Sequence, residues 1–227
     1  MTPNPTRPVV AFFDLDGTLL TVNSGTLWML RERRLGRISA RQFAWAMVWL
    51  LAYRFRPVDM TRLTELALET VQGLPEETVR QWTRDWYAAE VAQHVSAEAR
   101  ACVEQHRSQG HRLVLLTSSS RYESECACEQ LGLDDYLCTR YETVDGRFTG
   151  RVVRPVCYGE GKVALAADWA ERQGVDLREA YFYTDSHSDL PGLEAVGRPR
   201  VVNPDLRLRL SAWRRGWPVL SWGGKRG

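Results

Sequence analysis

The sequence predicts an α/β fold in which a Rossmann-like, doubly wound parallel sheet carries an inserted helical cap. Four short apolar runs, rich in β-branched or aromatic residues, each end in polar or turn residues, which is the pattern of buried parallel strands. Helical stretches lie between the last three runs, and this alternation is typical of a doubly wound sheet. The interval from about residue 24 to 109 holds no convincing strand and has the pattern of four or five helices.

The predicted strands and helices follow from these patterns in chain order. The strands are 9–13, 113–116, 181–183 and 201–202, and the helices between the last three are 122–131, 161–173 and 190–196. A hairpin is predicted over 137–152, because Asp145 and Gly146 form a turn pair between β-prone segments.

The domain organisation follows from the position of the helical interval. We expect residues 1–22 and 106–222 to form the core, 23–105 to form the cap, and 223–227 to form a flexible tail. The chain leaves the sheet after its first strand and returns before the second, so the cap is an insertion.

Composition limits the class of function. The 227 residues carry 30 basic and 28 acidic side chains, a net charge of +2 that is too balanced for a nucleic-acid surface or a polybasic anchor. The longest strongly apolar run, 43–53, is too short to span a bilayer, and the N-terminus lacks the apolar stretch of a secretory signal. The five cysteines are odd in number and lack metal-site spacing, which indicates reduced thiols. We therefore expect a cytoplasmic protein that binds a small molecule.

Acidic side chains follow two of the predicted strands, at the edge where open α/β sheets bind ligands. Asp14 and Asp16 share one side by the strand period, and Asp185 and Asp189 share one by helical spacing. If the two strands are neighbours, four carboxylates converge, and such a cluster raises their pKa values or requires a cation, for which Mg²⁺ is favoured. A single aspartate at a strand end usually caps the next helix. Two such pairs favour a metal site, because clustering without a cation costs several kcal/mol.

Basic and hydroxyl groups complete a candidate anion site. Lys162 and Lys225 are the only lysines in the chain, so Lys162 marks a position that selects a compact charge over a guanidinium. The alternative is an ordinary exposed lysine. Thr117 and Ser118 begin a hydroxyl run after the second strand, which offers an anion site at a helix N-terminus or merely a helix cap.

These residues resemble the ordered motifs of the haloacid dehalogenase superfamily of phosphohydrolases. The motifs are Asp14-Leu15-Asp16-Gly17-Thr18, then Thr117, then Lys162, then Asp185 with Asp189. The resemblance covers nearly the whole chain and is strongest to the phosphoserine-phosphatase-like branch, which has a helical cap after the first motif. The ending over 202–207 and 215–218 is similar to a bacterial subgroup that includes histidinol-phosphatases.

The resemblance implies a role for each motif residue. Asp14 attacks phosphorus and forms an aspartyl-phosphate, while Asp16 protonates the leaving alcohol and later deprotonates water. Asp14, Asp185 and the backbone carbonyl of Asp16 hold Mg²⁺. Thr117 and Lys162 bind the transferring oxygens. The carboxylate of Asp189 orients Lys162 or a metal-bound water.

Substrate specificity is left open by departures from that branch. Asn23 stands where phosphoserine phosphatases carry a glutamate for the substrate ammonium, and Thr184 replaces the glycine before the metal-binding aspartate. A neutral amide cannot form that ion pair, which makes selective phosphoserine hydrolysis less favoured. The candidate substrate contacts are Thr117, Ser118, Lys162, Asn23, Trp28 and Arg121, although a tryptophan such as Trp28 is more often a packing residue than a ligand contact.

The predicted activity is Mg²⁺-dependent hydrolysis of a small phosphomonoester, similar to histidinol phosphate or phosphoserine. A first alternative is a phospholipid- or phosphocholine-type phosphatase whose apolar cap segment, 43–53, contacts a membrane. That segment could instead be buried between cap helices or form a dimer contact. A second alternative is a non-catalytic phosphoryl-binding module, because a fold alone does not establish activity.

Overall fold

The computed structural model describes residues 8–223, apart from 42, 45–47 and 49–58. Its sheet has seven strands in the order β4-β3-β2-β1-β5-β6-β7. All neighbouring strands are parallel except β3 and β4, which form an antiparallel hairpin. The strands are β1 (Val10–Phe13), β2 (Arg112–Ser120), β3 (Asp135–Val144), β4 (Arg147–Val153), β5 (Tyr181–Thr184), β6 (Arg198–Val202) and β7 (Val219–Leu220).

Eight α-helices are complete within the described residues. They are α1 (Ser24–Arg34), α2 (Met60–Leu68), α3 (Glu76–Trp86), α4 (Ala97–Ser108), α5 (Arg121–Leu131), α6 (Glu160–Gln173), α7 (Leu190–Ala195) and α8 (Leu206–Arg215). Short turns of helix also occur at Leu15–Leu19, Tyr87–Val91, Ala92–His94, Leu177–Glu179 and His187–Asp189. Side chains cap several helices: the Ser96 hydroxyl accepts from the N–H of Ala99 at the start of α4.

The hydrophobic core lies on both faces of the sheet. Successive side chains of a strand point to opposite faces, so each central strand contributes to two separate clusters. Ala11, Phe13, Leu113 and Leu115 belong to one cluster, and Val10, Phe12, Val114 and Leu116 to the other. Both faces of β1 and β2 are therefore buried, which explains their uninterrupted apolar sequences.

The doubly wound sheet predicted from the sequence is confirmed, and each predicted strand and helix is present. The hairpin turns at Asp145, whose φ is +50°, and Gly146, whose φ is +72°. Strand β2 is longer than predicted, because the polar residues after Leu116 continue beside β3 across a register shift. Strand β7 and helix α8 were not predicted; β7 has only two residues, too few to leave a periodic pattern.

The described part of the interval 24–109 is mainly helical, as predicted, and its last helix, α4, packs on the sheet. Ala99 and Val103 of α4 lie in the same buried cluster as Leu113 and Leu115 of β2. The predicted boundary between residues 105 and 106 falls inside this helix. The division into cap and core stays a prediction.

Two further expectations fall largely outside the described residues. Of the apolar segment 43–53, only residues 43, 44 and 48 are described, and of the predicted tail only Gly223. No helix within the described ranges is long and apolar enough to cross a membrane.

Candidate active site

The central strand β1 delivers Asp14 to the carboxyl edge of the sheet. Phe13 pairs with Leu115 on one side and Tyr183 on the other, and the backbone N–H of Asp14 donates to the Tyr183 carbonyl at 2.9 Å. The ladder thus continues through Asp14, whose position is fixed by two neighbouring strands. Asp14 is only 7% exposed.

The turn after β1 requires a glycine for two reasons. Gly17 has φ +71°, in the left-handed region that side chains other than glycine rarely adopt. A Cβ atom at this position would also lie 2.2 Å from Oδ2 of Asp185, which is far inside van der Waals contact. The absence of a side chain at Gly17 therefore lets the carboxyl group of Asp185 approach the turn that carries Asp14 and Asp16.

Lys162 is buried between two carboxylates. Its ammonium nitrogen lies 2.8 Å from Oδ1 of Asp14 and 2.7 Å from Oδ2 of Asp189, and the residue is 2% exposed. The exposed-lysine alternative is thereby excluded. Gly161 permits this placement, because a Cβ there would lie 1.9 Å from the Val156 carbonyl oxygen as the chain enters α6.

Thr184 has a definite contact in this network. Its buried hydroxyl donates to Oδ2 of Asp189 at 2.7 Å, so this oxygen accepts from both Thr184 and Lys162. The threonine that replaces the branch's glycine therefore helps to hold Asp189 against Lys162.

The electrostatics of the cluster are dominated by burial and by repulsion between carboxylates. Burial, with smaller contributions from the charges of Asp189 and Asp16, raises the pKa of Asp14 to about 7 against the lowering effect of Lys162. Burial, then Asp14 and Asp189, raise the pKa of Asp185 well above its usual range. Burial alone would lower the pKa of Lys162, but Asp14 and Asp189 outweigh it and raise that pKa. The cluster has more negative than positive charge.

Asp16 faces the start of helix α1. Its Oδ1 accepts from the Ser24 backbone N–H at 2.8 Å, and its Oδ2 accepts from the Ser24 hydroxyl at 3.1 Å and the Asn23 amide at 3.3 Å. Burial raises the pKa of Asp16, and the Ser24 hydrogen bonds oppose this. A raised pKa suits a group that must carry a proton before it donates it.

The hydroxyl run forms the end of β2, and its first two residues differ in exposure. Thr117 is buried and its hydroxyl oxygen accepts from the Ser119 backbone N–H at 3.2 Å, whereas Ser118 is exposed. Thr18, in the turn after β1, is buried with no hydrogen-bond partner for its hydroxyl among the described residues. A buried hydroxyl without a partner beside the acidic cluster is free to donate to a bound ligand.

The remaining predicted substrate contacts have partners within the protein. The Asn23 side-chain oxygen caps α1 by accepting from Thr26 at 2.9 Å. The Trp28 ring packs edge-on against Trp86, with 5.1 Å between ring centroids. The Arg121 guanidinium donates to Glu125 at 2.8 Å. Their roles as substrate contacts stay predictions.

Sequence reasoning missed one acidic group beside this site. Glu123, in the first turn of α5, is 7% exposed, and its Oε1 has no hydrogen-bond partner among the described residues. Burial and then Asp16 raise its pKa to about 8. The spacing Ser120-x-x-Glu123 is the available signal, but this pattern is a helix-capping signature and does not predict a buried carboxyl group beside Asp16.

The donor set fits a hard divalent cation in part. Among the described residues, no three His, Cys, Asp or Glu side chains are arranged to hold a metal ion. The expected Mg²⁺ ligands are the carboxylates of Asp14 and Asp185 and the backbone carbonyl of Asp16. This set contains only two acidic side chains and is therefore compatible with that finding. The Asp185 carboxyl group accepts no hydrogen bond from the described residues and is repelled by Asp14 and Asp189, so a cation would relieve the repulsion.

Comparisons with known proteins indicate the same family that the sequence motifs resemble. A family model described as haloacid dehalogenase-like hydrolase matches residues 11–194. A histidinol-phosphatase of Neisseria meningitidis is 29% identical over 217 residues, which cover 93% of this chain and 98% of the relative. Phosphoserine phosphatase SerB1 of Mycobacterium tuberculosis is 30% identical over 221 residues, 92% of this chain and 69% of the relative. A solved structure of unknown function from Bordetella pertussis superposes with a TM-score of 0.86 at 29% identity, covering 95% of this chain and 99% of that one.

Proposed function

The chain belongs to the haloacid dehalogenase-like hydrolase family, and from that premise we propose that it is a Mg²⁺-dependent phosphatase acting on a small phosphomonoester. One observation carries the proposal: a buried ammonium group, Lys162, lies between the carboxylates of Asp14 and Asp189 at the carboxyl edge of the sheet. A nucleophilic carboxylate beside a fixed positive charge is the arrangement that phosphoryl transfer requires.

In the proposed first step an Oδ atom of Asp14 attacks phosphorus. A bond forms between Asp14 and phosphorus, the bond from phosphorus to the ester oxygen breaks, and Asp16 gives its proton to the departing alkoxide. In the second step water attacks the aspartyl-phosphate and gives a proton to Asp16, and the bond from phosphorus to Asp14 breaks. Inorganic phosphate leaves, and both carboxyl groups return to their starting state.

Lys162 has two tasks in this scheme. Its charge opposes the effect of burial on Asp14, whose pKa of about 7 would otherwise be higher, and so keeps the attacking oxygen ionised. In this scheme the same ammonium group, together with Thr117, also stabilises the charge that develops on the phosphoryl oxygens. Asp189 and Thr184 hold Lys162 in place through the contacts described above.

The residues that would hold Mg²⁺ are Asp14 and Asp185 through their carboxylates and Asp16 through its backbone carbonyl. A bound Mg²⁺ supplies charge neutralisation and polarises a phosphoryl oxygen. The proposal is supported by the unpartnered carboxyl group of Asp185 and by the close approach that Gly17 permits.

The proposed substrate is a small metabolite similar to histidinol phosphate or phosphoserine. The relatives named histidinol-phosphatase and phosphoserine phosphatase support this class. A cytoplasmic location is part of the proposal and is supported by the five cysteines, all of which are free.

Phosphate release from p-nitrophenyl phosphate tests the activity. We expect release with Mg²⁺ and none with a chelator, followed by a preference within a panel of histidinol phosphate, phosphoserine, phosphocholine and sugar phosphates. Release that persists in chelator would refute the metal requirement. No release from any ester would refute the phosphatase activity.

A further inference from the structure

Helix α8 presents an apolar stripe to solvent. Leu206, Leu210 and Trp213 are 84%, 47% and 78% exposed, and their spacings of four and three positions place them on one side of the helix. Leu208 and Ala212 lie on the opposite side and are fully buried in one of the two core clusters. The helix therefore packs on the core through one apolar face and leaves a second one open.

The stripe continues onto the edge strand of the sheet. Val219 of β7 is also exposed, and Trp213 and Val219 line a shared groove of about 560 Å³. Among the described residues, α8 and β7 supply four of the nine large apolar side chains that are exposed. Single exposed apolar residues are ordinary on a protein surface, but a contiguous patch of them indicates contact with a partner.

Arginines flank the stripe on both sides. At about 100° per residue, Arg207 and Arg214 lie about 80–100° from Leu206 around the helix axis, and Arg209 lies about 60° from it in the other direction. All three arginines are exposed, and none forms an ion pair with an acidic side chain that the structure describes. The exposed apolar surface is therefore bordered by positive charge.

The helix as a whole is strongly basic. Its ten residues include four arginines and no acidic side chain. Within the described ranges only one of these arginines, Arg215, has an acidic partner, Glu194 at 2.5 Å. The whole chain has a net charge of only +2, so its overall balance conceals this local concentration of positive charge.

A second copy of the chain matches this surface poorly. A twofold dimer formed through the stripe would place α8 of one copy against α8 of the other. Each helix would bring its flanking arginines and no acidic side chain, and like charges across an interface oppose association. The charge therefore favours an anionic partner.

A bilayer that contains anionic lipids matches both the stripe and its charge. Tryptophan favours the boundary between headgroups and acyl chains, and arginine extends its stem along apolar surface while its charge stays among phosphates. A solvent-facing apolar stripe between basic residues is the pattern of helices that lie in this interface. We propose that α8 and β7 dock the protein on membranes that carry anionic phospholipids. The inference goes beyond the proposed phosphatase activity and does not depend on it, and such docking needs no membrane-spanning helix.

Flotation with lipid vesicles tests the inference on the full chain. Vesicles of phosphatidylglycerol and phosphatidylcholine in equal parts supply an anionic surface, and vesicles of phosphatidylcholine alone supply a neutral one. We expect binding to the anionic vesicles to be about 10-fold tighter or more at about 0.1 M salt. This preference should be lost at about 0.5 M salt, because salt screens exposed charges.

Two double variants separate the contributions of the stripe and of its charge. Leu206→Ser with Trp213→Ser should weaken binding to anionic vesicles about 100-fold, since both side chains lose their burial in the bilayer interface. Arg207→Gln with Arg209→Gln removes one arginine from each side of the stripe and should weaken this binding about 25-fold, at about 5-fold per arginine. All four side chains are exposed, so thermal unfolding should stay as in the wild type.

Matched controls lie on other elements. Arg151→Gln with Arg172→Gln removes the same charge from exposed positions on β4 and α6. Val144→Ser removes an exposed apolar side chain from β3. Both control proteins should bind vesicles as the wild type does.

Three results would overturn the inference. Binding that is unchanged in both α8 variants would place the membrane contact elsewhere in the chain, such as the apolar segment 43–53. No binding of the wild type to anionic vesicles would exclude a lipid surface. A dimer that forms without lipid and dissociates in Leu206→Ser with Trp213→Ser would make a second copy the occupant of the stripe. Failure to hydrolyse any phosphate ester would refute the proposed function alone and leave this inference standing.

Discussion

The ammonium group of Lys162 donates a 2.8 Å hydrogen bond to Oδ1 of Asp14, across 148 positions of sequence. Asp14 directly follows the central strand β1 and Lys162 lies in the first turn of helix α6, so the contact exists only when the sheet is assembled. Asp189 accepts from the same nitrogen at 2.7 Å. Folding therefore builds the charged centre of the site.

Removing the charge of Lys162 should damage both stability and activity. Lys162→Met leaves Asp14 and Asp189 buried without their cation, and we expect it to lower the free energy of unfolding by about 3–5 kcal/mol and kcat by about 100-fold or more. Urea unfolding and phosphate release measure the two effects. The double variant with Asp189→Asn should lose less stability than the sum of the two single changes. Additive losses would contradict a shared interaction.

Asp189 should act as a positioning residue through Lys162 and through its charge near Asp14. Asp189→Asn should lower kcat/KM by about 10-fold. Because the charge of Asp189 helps to raise the pKa of Asp14 to about 7, its removal should move the acidic limb of the kcat/KM profile to lower pH. The control is Asp168→Asn, an exposed change on α6. An acidic limb that stays at the same pH in Asp189→Asn, or moves to higher pH, would show that Asp189 does not face Asp14.

The close approach of Gly17 to Asp185 can be separated from backbone strain. Gly17→Ala should cost about 1 kcal/mol for its positive φ and about 1–3 kcal/mol more for the overlap with Asp185, with loss of activity. Gly146→Ala is the matched control, since Gly146 has φ +72° and nothing within 4 Å of a Cβ. Thermal or urea unfolding compares them. If Gly17→Ala and Gly146→Ala lose equal stability and Gly17→Ala stays active, Asp185 does not lie against the turn.

A buried histidine on α4 should make the protein sensitive to acid. His106 contacts the Tyr183 hydroxyl at 2.8 Å and His111 at 2.7 Å. Burial, then His111 and Arg200, lower the pKa of His106 from 6.5 to about 4. Below pH 6.5 this histidine is therefore protonated in the unfolded chain but stays neutral in the folded protein. The free energy of unfolding that is present above pH 6.5 is lost as the pH falls towards 4. The free energy of unfolding, measured in urea at pH 7.5 and pH 5, should fall by less between these pH values in His106→Gln than in the wild type. Equal losses would exclude this residue as the cause.

The sequence was sufficient for the parts of the site that depend on strand ends. Asp14 and Asp185 could be placed because apolar runs define parallel strands, and the carboxyl ends of such strands share one edge. Lys162 could be singled out because the chain uses arginine almost everywhere else. These signals are local patterns that the fold then brings together.

Other features depend on contacts that leave no local pattern. The bond from Thr184 to Asp189 arises only when the His187–Asp189 turn folds back on β5. Glu123 is buried, and its pKa is raised further by Asp16, which is distant in the sequence. Its spacing to Ser120 predicts only a helix cap. The structure adds these residues to the site that the motifs indicated.

The central claim is that Asp14 carries the phosphoryl group during turnover. It is tested most directly by quenching the enzyme in acid while it hydrolyses p-nitrophenyl phosphate with Mg²⁺, and mapping the protein by mass spectrometry. We predict one added phosphoryl group on the peptide that contains Asp14, with neither label nor turnover in folded Asp14→Asn. A phosphoryl group on another residue, or steady turnover in Asp14→Asn, would contradict the claim.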